Sequence, residues 1–232
     1  MFKLLSTANP KIQKGTKMGY LSFILHLAPA TLSGKETCPK RTAGCTAACL
    51  NTAGRGGMFK KGENTNMIQK ARIRKTKYFF EARDYFMQDL YTDITKAIKF
   101  AERKGLIPVF RLNGTSDLSW EKYGINGKNL FELFPTVQFY DYTKVLGRKV
   151  KQYKNYHLTF SKADGNDADV AEALLQGMSV VAVYDKIPEG TPSADETDLR
   201  FLDPKGVMLG LKAKGRAKKD YSGFVIRIME AV

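Results

Sequence analysis

Residues 66–112 read NMIQKARIRKTKYFFEARDYFMQDLYTDITKAIKFAERKGLIPVFRL, and this stretch decides the fold class. Apolar residues recur at helical spacing over residues 66–104, which predicts one long amphipathic helix. Gly105 is placed to end that helix. The run 107–112, rich in β-branched and aromatic residues, then predicts a strand. A helix that leads directly into a strand is typical of parallel α/β structure.

The alternation of strands and helices continues in both directions from this stretch. Shorter helices are predicted at 129–134 and at 167–176, the second with Asn166 or Asp167 as its N-cap and Gly177 at its end. The predicted strands, each a short apolar run, are 20–27, 107–112, 136–142, 156–161, 179–184, 207–211 and 223–228.

This order predicts an α/β fold, a TIM-like (β/α) barrel that is complete, incomplete or distorted. The basic loop 212–221 joins the last two strands, so we expect a C-terminal β-hairpin there. A doubly wound open sheet stays an alternative, although no Gly-x-Gly-x-x-Gly follows the first strand. We expect residues 1–232 to form a single domain.

The charge of the chain is strongly basic, with 38 Lys and Arg against 23 Asp and Glu and a formal net charge of +15. Such a protein attracts anions, including nucleic acid, nucleotides and acidic proteins. Three cysteines cannot form a closed set of disulfides, which favours a reducing compartment. The apolar run 21–30 is too short to span a bilayer and is interpreted as a buried strand, so no membrane partner is expected.

Polar residues gather where the predicted strands end. In a parallel barrel these ends lie on one face, where functional sites are built. We therefore predict a ligand pocket, against the simpler alternative that strands leave the core into water. Its candidate residues are Arg111, Asn113, Asp117, Tyr140, Tyr142 and Lys144.

Three cysteines, Cys38, Cys45 and Cys49, follow the first predicted strand with the spacing Cys-x6-Cys-x3-Cys. A zinc site completed by His26 or His157, a disulfide with one spare thiol, and unliganded thiols are three interpretations. The compact Gly- and Ala-rich setting favours a fourth, an iron–sulfur cluster held by the three thiolates. The sequence therefore predicts these cysteines as metal ligands.

A four-iron, four-sulfur (4Fe–4S) cluster with three thiolates leaves one iron open to a small molecule or anion. The predicted function is redox or cluster-dependent catalysis, with that iron facing the polar pocket. One alternative is a ferredoxin-like electron-transfer module with a redox partner. Another is a basic nucleic-acid or host-protein binder with a structural metal site, contacting its partner through residues 212–219 (KAKGRAKK).

Several segments resemble an uncharacterised family of tailed-phage proteins, the gene product eighty-eight family. The resemblance covers nearly the whole chain and implies a phage-encoded protein that acts in the cytoplasm of the host bacterium. The segments that carry it are the cysteine stretch with its Cys-Leu-Asn-Thr-Ala-Gly-Arg-Gly continuation, 72–76 with 79–81, 111–117, 139–144 and 198–206.

A looser resemblance is to radical S-adenosylmethionine enzymes, which also place a three-cysteine loop after the first strand of a partial barrel. It implies S-adenosylmethionine as a second candidate cofactor at the open iron. The chain departs from that pattern in three ways: the usual spacing there is Cys-x3-Cys-x2-Cys, Ala48 stands where an aromatic residue is usual, and Asn113 begins a turn in place of Gly-Gly-Glu.

Overall fold

The centre of the protein is one mostly parallel sheet, seen in a computed structural model that describes residues 3–7 and 14–228. A separate antiparallel pair of two short strands, residues 124–125 with 128–129, lies beside it. The strands are β1 Leu5–Ser6, β2 Tyr20–Leu25, β3 Ile107–Arg111, β4 Gly124–Ile125, β5 Lys128–Asn129, β6 Gln138–Thr143, β7 Tyr156–Ser161, β8 Val180–Tyr184, β9 Met208–Lys212 and β10 Val225–Ile226. The helices are α1 Ala43–Ala47, α2 Met67–Glu81, α3 Arg83–Glu102, α4 Leu130–Leu133 and α5 Asp167–Leu175.

The strand order of the main sheet is β1-β2-β3-β6-β7-β8, with β9 and β10 both paired to β8. Every pairing is parallel except that of β1 with β2. The predicted α/β class is confirmed, and all seven predicted strands are present. Among the described residues no pairing joins the two ends of this order, so a closed barrel is not found.

The predicted C-terminal hairpin is wrong. Val183 pairs with Leu211 of β9 on one side and with Val225 of β10 on the other, and both pairings are parallel. The connection 213–224 is therefore a crossover past β8. A short basic loop between two apolar runs is compatible with either arrangement, so the sequence alone favoured the simpler hairpin.

One face of the sheet packs against the helices. Phe23, Phe110 and Phe139 lie side by side on adjacent strands, with ring centroids 5.3 Å and 5.5 Å apart. Phe79 of α2 and Phe86 of α3 are fully buried in the same core. Burial of these aromatic side chains stabilises the fold by roughly 2 kcal/mol each.

The predicted helix 66–104 is two helices. Ala82 leaves the helical conformation, at φ −141° and ψ 57°, and separates α2 from α3. Arg83 then lies over the rings of Phe79 and Tyr123, 4.9 Å from each centroid. The predicted end is confirmed, because Gly105 has φ +65° and the N–H of Leu106 reaches back to the carbonyl of Ala101.

The opposite face is covered by the connection between β8 and β9. Leu199 and Phe201 of that connection pack on Tyr20, Val109 and Tyr140, which point away from the helices. This second face of the sheet is thus covered by the chain's own side chains.

The predicted bounds of the helix before β8 are also confirmed. Asn166 is the N-cap of α5, and Gly177, at φ +76°, follows its last turn. No helix in the part of the chain that the structure describes is long and apolar enough to cross a membrane.

Candidate functional site

Three of the predicted pocket residues meet in a buried polar network under the carboxyl ends of β3 and β6. Arg111 Nη1 donates to Asp198 Oδ2 at 3.1 Å, and its guanidinium lies 4.6 Å from the ring centroid of Tyr142. Tyr140 donates to Ser22 Oγ at 3.2 Å. Burial alone lowers the pKa of Arg111, but Asp198 and Tyr142 raise it above its usual value. This network holds the β8–β9 connection against the sheet.

Asn113 organises the turn after β3. Its side-chain oxygen accepts hydrogen bonds from Ser116 Oγ, the Leu118 N–H and Trp120 Nε1, at 2.9 to 3.0 Å. Its own N–H donates to Asp141 Oδ1 at 2.6 Å. With these bonds formed, the side-chain oxygen of Asn113 is saturated and its role in the structure is to shape the loop.

Asp117 and Lys144 are adjacent and keep unused bonding capacity. The N–H of Lys144 donates to Asp117 Oδ2 at 2.8 Å, whereas Asp117 Oδ1 is buried without a hydrogen-bond partner. Burial raises the pKa of Asp117, against the lowering effects of the Lys144 N–H and Thr143. The Lys144 ammonium forms no ion pair within the described residues.

The prediction of a metal site at Cys38, Cys45 and Cys49 is wrong. Among the described residues, no three His, Cys, Asp or Glu side chains are grouped so that they could hold a metal ion. Cys38 Sγ instead accepts from the Ala30 N–H at 3.4 Å. Cys49 Sγ accepts from the Asn51 N–H at 3.5 Å.

The surroundings of two of these thiols favour their protonated form. Burial raises the pKa of Cys38 to about 11, and it also raises the pKa of Cys49. Burial thus disfavours the charged thiolate form of both groups. The spacing Cys-x6-Cys-x3-Cys is compatible with a loop in which Cys38 and Cys49 are withdrawn from water.

Every prediction that depended on the metal fails with it. These are the 4Fe–4S cluster, the open iron, cluster-dependent catalysis, the ferredoxin-like module, the structural metal and the zinc site with His26 or His157. The resemblance to radical S-adenosylmethionine enzymes is likewise without support, since it rested on the three-cysteine cluster. S-adenosylmethionine is therefore not supported as a cofactor.

A rigid loop follows the cysteines. The Asn66 side chain donates from Nδ2 to the carbonyls of Arg55, Gly56 and Met58, while its oxygen caps α2 at the Gln69 N–H. The Gln69 side chain also donates to the Gly56 carbonyl, at 3.0 Å. Residues 51–58 are thus tied to the first turn of α2 by two amide side chains.

Arg72, one turn further along α2, points back to this loop. Its Nη1 donates to Asn51 Oδ1, and its Nε is buried without an acceptor. Burial lowers the pKa of Arg72, and Cys49 is the group that opposes this effect. The guanidinium therefore lacks the carboxylate partner that a partly buried cation usually has.

His26 follows β2 and lies close to the same cations. Burial, together with the neighbouring charges of Arg72, Arg111 and Lys75, lowers the pKa of His26 to about 3. Its Nδ1 lies 3.4 Å from Ser6 Oγ. The imidazole is neutral at pH 7, in surroundings of excess positive charge.

Two basic segments form the outer surface at the carboxyl ends of the strands. We call them together the basic surface, made of residues 28–66 and 212–228. They contain three acidic residues, Glu36, Glu63 and Asp220. The cations without an ion pair among the described residues are Lys35, Lys40, Arg55, Lys60, Lys61, Lys212, Arg216, Lys218 and Lys219, and all of them are exposed.

The two segments pack on each other at three points. Ala48 is buried against Ala213, Ala217 and Val225. Gly215, at φ +58°, approaches Ala53 so closely that an added Cβ would lie 3.2 Å from its Cα. These contacts join segments about 160 residues apart in sequence into one continuous surface.

The third contact anchors α1. An added Cβ on Gly44 would lie 2.0 Å from Ser222 Oγ and 2.7 Å from Asp164 Oδ1, so a larger residue here would have to displace both side chains. The Gly44 N–H donates to Asp164 Oδ2 at 3.1 Å, and the hydroxyl of Thr42, the N-cap of α1, donates to Asp164 Oδ1. The cysteine loop is thereby fixed to the end of β7.

Apolar and aromatic side chains are exposed among these cations. Tyr221 is 83% exposed, and the Arg227 guanidinium lies 4.4 Å from its ring centroid. Leu50, Met58 and Phe59 are exposed on the other segment. An open pocket of about 360 Å³ lies beside Tyr221, lined also by Lys162, Gly223, Val225, Ile226 and Arg227.

Sequence reasoning missed this surface as a unit. It identified residues 212–219 as a basic segment and did not connect them with the cations around the cysteines. The two segments contact each other through small residues that form no distinctive pattern in the sequence: Gly44, Ala48, Gly215 and Ala217.

No curated protein and no solved structure matches the chain. The resemblance that the sequence motifs indicated is confirmed at the level of the family. The family model described as Gene product 88 matches residues 3–228, and the chain belongs to that family.

Proposed function

We propose that the protein binds single-stranded nucleic acid on the basic surface. The nucleic-acid partner was one alternative that the net charge left open, and the arrangement of the cations now favours it. A groove or face of Lys and Arg attracts phosphates and releases their counterions, which gives sequence-independent affinity.

The observation that carries the proposal is the meeting of the two basic segments. Neither is unusual alone, since a short lysine run is often a solvated loop. Joined through Ala48 and Gly215, the two adjoining segments carry nine exposed cations that form no ion pair among the described residues. Clustered Lys and Arg of this kind are the electrostatic footprint of nucleic-acid binding.

Exposed aromatic and apolar side chains favour a single strand over a duplex. An unpaired base can stack on an aromatic ring, for about 1–3 kcal/mol, whereas bases in a duplex are already stacked. Tyr221 offers such a ring beside an open pocket, and Phe59 is a second exposed ring. The cation over Tyr221 also matches the Arg contacts common in these interfaces.

The position of this surface supports the proposal as well. The parallel strands from β2 to β8 in the main sheet follow one another in chain order, and the β8–β9 connection covers the face opposite the helices, which supports interpreting the sheet as an incomplete barrel. Binding sites on such scaffolds lie at the carboxyl ends of the strands. The family supports a phage origin, and the host cytoplasm, which contains nucleic acid, remains our expected location.

The test is a titration of fluorescent oligonucleotides of about 20 nucleotides, in single- and double-stranded form, between about 50 and 200 mM salt. We expect tighter binding of the single strand and a steep loss of affinity with salt. The double variant Lys218→Gln/Lys219→Gln should reduce the salt slope by about 1.4, because each phosphate contact to a single strand contributes about 0.7.

A matched control removes the same charge elsewhere. Lys96 and Lys99 are exposed on α3, whose end leads to the amino end of β3 on the far side of the sheet. The variant Lys96→Gln/Lys99→Gln should bind like the unchanged protein. Equal losses in the two double variants, or salt-independent binding, would reject the proposal.

A further inference from the structure

We propose that the site for single-stranded nucleic acid extends from the basic surface onto α2, along a row of exposed cations. We call Lys70, Arg74 and Lys77 the α2 row. None of them belongs to the two segments of the basic surface. This extension rests on the proposed function and deepens it, because the partner is then a strand long enough to cover both the basic surface and α2.

The α2 row lies on the side of α2 that faces away from the core. Gln69, Thr76 and Phe79 are the buried residues of this helix. At about 3.6 residues per turn, its exposed residues fall within an arc of about 80° on the other side, and the row spans about 10 Å along the axis. The exposed residues are Met67, Lys70, Arg74, Lys77 and Glu81.

The α2 row begins beside the basic surface. Asn66 Nδ2 donates to the carbonyl of Arg55 at 3.2 Å, and the N–H of Lys70 donates to the carbonyl of Asn66 at 2.9 Å. Asn66 therefore connects the exposed Arg55 of the basic surface with the first cation of the row. Neither cation forms an ion pair in the described part of the chain. The two are thus held on adjoining parts of the surface.

The charge of α2 is one-sided for a surface helix. Residues 67–81 contain five Lys or Arg and a single acid, whereas residues 83–102 of α3 contain three cations and four acids. Like charges four residues apart repel, as at Lys70 and Arg74, and a cation near the start of a helix opposes its dipole. α2 also has no acid in its first turn, where α3 has Asp84. Bound phosphates would relieve both effects.

A nucleic-acid strand fits this row better than an acidic protein segment. Its phosphates follow one another at each nucleotide, so one strand can contact the basic surface and then the α2 row. Two exposed methionines lie where these meet: Met67 follows Asn66, whose side chain donates to the carbonyl of Met58. A thioether makes favourable contacts with aromatic rings, and unpaired bases present such rings.

The first test removes the charge of the α2 row in the variant Lys70→Gln/Arg74→Gln/Lys77→Gln. Oligothymidylates of about 5 to 40 nucleotides are titrated at several salt concentrations. We expect long strands to bind at least about tenfold less tightly than to the parent, with a salt slope lower by about 2, because each contact to a single strand contributes about 0.7. The shortest strands should bind as to the parent, since the two basic segments still hold them.

The matched control is Lys96→Gln/Lys99→Gln/Arg103→Gln. It removes three exposed charges, at nearly the same spacing, from α3 and the residue that follows it. This variant should bind strands of every length like the parent. Thermal melting without oligonucleotide shows whether each variant is folded.

A second test adds charge, so that a gain of affinity is measured and loss of folding cannot imitate the result. Glu81→Lys adds a cation at the exposed last residue of α2, where a positive charge also suits the helix dipole. Glu102→Lys makes the same change at the exposed last residue of α3. We expect tighter binding of long strands by Glu81→Lys, with a salt slope raised by about 0.7, and no change in Glu102→Lys.

A loss confined to the α2 triple variant, or a gain confined to Glu81→Lys, would support the proposal. Equal behaviour of the α2 and α3 variants would overturn it, and the proposed function would stand if Lys218→Gln/Lys219→Gln still weakened binding. A polyglutamate peptide tests the other class of partner: the proposal is wrong if the α2 triple variant loses this peptide but keeps its affinity for long strands. Absence of salt-dependent oligonucleotide binding by the parent would reject both proposals.

Discussion

His26 and His157 are the only histidines of the chain, and both are withdrawn from water. Burial lowers the pKa of His26 to about 3 and that of His157 to about 4. In the unfolded chain each would titrate near 6.5. Between these values the unfolded state binds protons that the folded state does not.

The stability of the protein should therefore fall as the pH is lowered through 6.5. A histidine that stays neutral when folded contributes a loss of about 2 kcal/mol in unfolding free energy between pH 7 and pH 5. His26→Gln should remove one such contribution and His157→Gln the other, as measured by urea unfolding at both pH values. Identical pH dependence in the variants and the parent would show that these imidazoles are protonated in the folded state.

Asp141 should act with the opposite sign. It is fully buried, and burial raises its pKa to about 7, against the lowering effect of the Asn113 N–H. Its folded form takes up a proton below pH 7, where the unfolded carboxylate does not. This adds about 2 kcal/mol of stability between pH 7 and pH 5.

Urea unfolding of Asp141→Asn should lose this gain on acidification, because an amide does not titrate. Asp84→Asn, at an exposed position in the first turn of α3, is the control. The prediction is wrong if both variants follow the parent between pH 7 and pH 5. The two histidines together outweigh Asp141, so between pH 7 and pH 5 the parent should lose about 2 kcal/mol of stability, each single histidine variant should lose almost none, and Asp141→Asn should lose about 4 kcal/mol.

At the scale of elements, the loop 51–58 depends on Asn66. One amide caps α2 and also satisfies three loop carbonyls. Asn66→Ala should lower the unfolding free energy by about 2 kcal/mol, from the lost cap and the lost carbonyl partners together. Hydrogen exchange of residues 51–58 should speed up in parallel.

Asn66→Asp separates the two roles of this side chain. A carboxylate still caps α2, but it cannot donate to the carbonyls of Arg55, Gly56 and Met58. We expect the start of α2 to stay protected while the loop exchanges rapidly. Unchanged exchange in the loop would show that other contacts hold it.

The elements themselves were largely predictable from the sequence. Gly105 and Gly177 end helices because each takes a positive φ, and the apolar runs became strands. The break at Ala82 could not be predicted, since the apolar periodicity of α2 continues unchanged into α3. β10 pairs on the side of β8 where Val225 packs against Ala48. That long-range contact leaves no local pattern in the sequence.

The candidate site was predicted less well, for a related reason. The ends of the strands were predicted correctly, but the sequence does not show which groups their side chains contact. Arg111 and Asn113 stay candidates for ligand contact: Arg111 is paired with Asp198, and the side-chain oxygen of Asn113 accepts three hydrogen bonds within the turn of Trp120. The spacing of Cys38, Cys45 and Cys49 is compatible with a metal site, yet spacing alone does not show whether the three thiols lie close together.

At the scale of the molecule, many of the cations behind the net charge of +15 belong to the basic surface. Unpaired cations from the start and the end of the chain meet at the carboxyl ends of the strands. The amount of charge can be counted from the residues, whereas its arrangement depends on how the chain folds. Function on this surface should depend on how the segments are held together as well as on how many cations they contain.

The variant Gly215→Val tests that arrangement without changing any charge. Its side chain would push against Ala53, which lies 3.2 Å from an added Cβ, and would separate the two segments. If about three phosphate contacts are lost, the salt slope for single-stranded oligonucleotides should fall by about 2 and the affinity by at least about tenfold. Gly190→Val is the matched control, because Gly190 also has a positive φ, +77°, with nothing within 4 Å of an added Cβ. Both variants carry similar backbone strain, of about 1–2 kcal/mol. Equal oligonucleotide affinity of the two variants would therefore show that contact between the two basic segments does not contribute to binding.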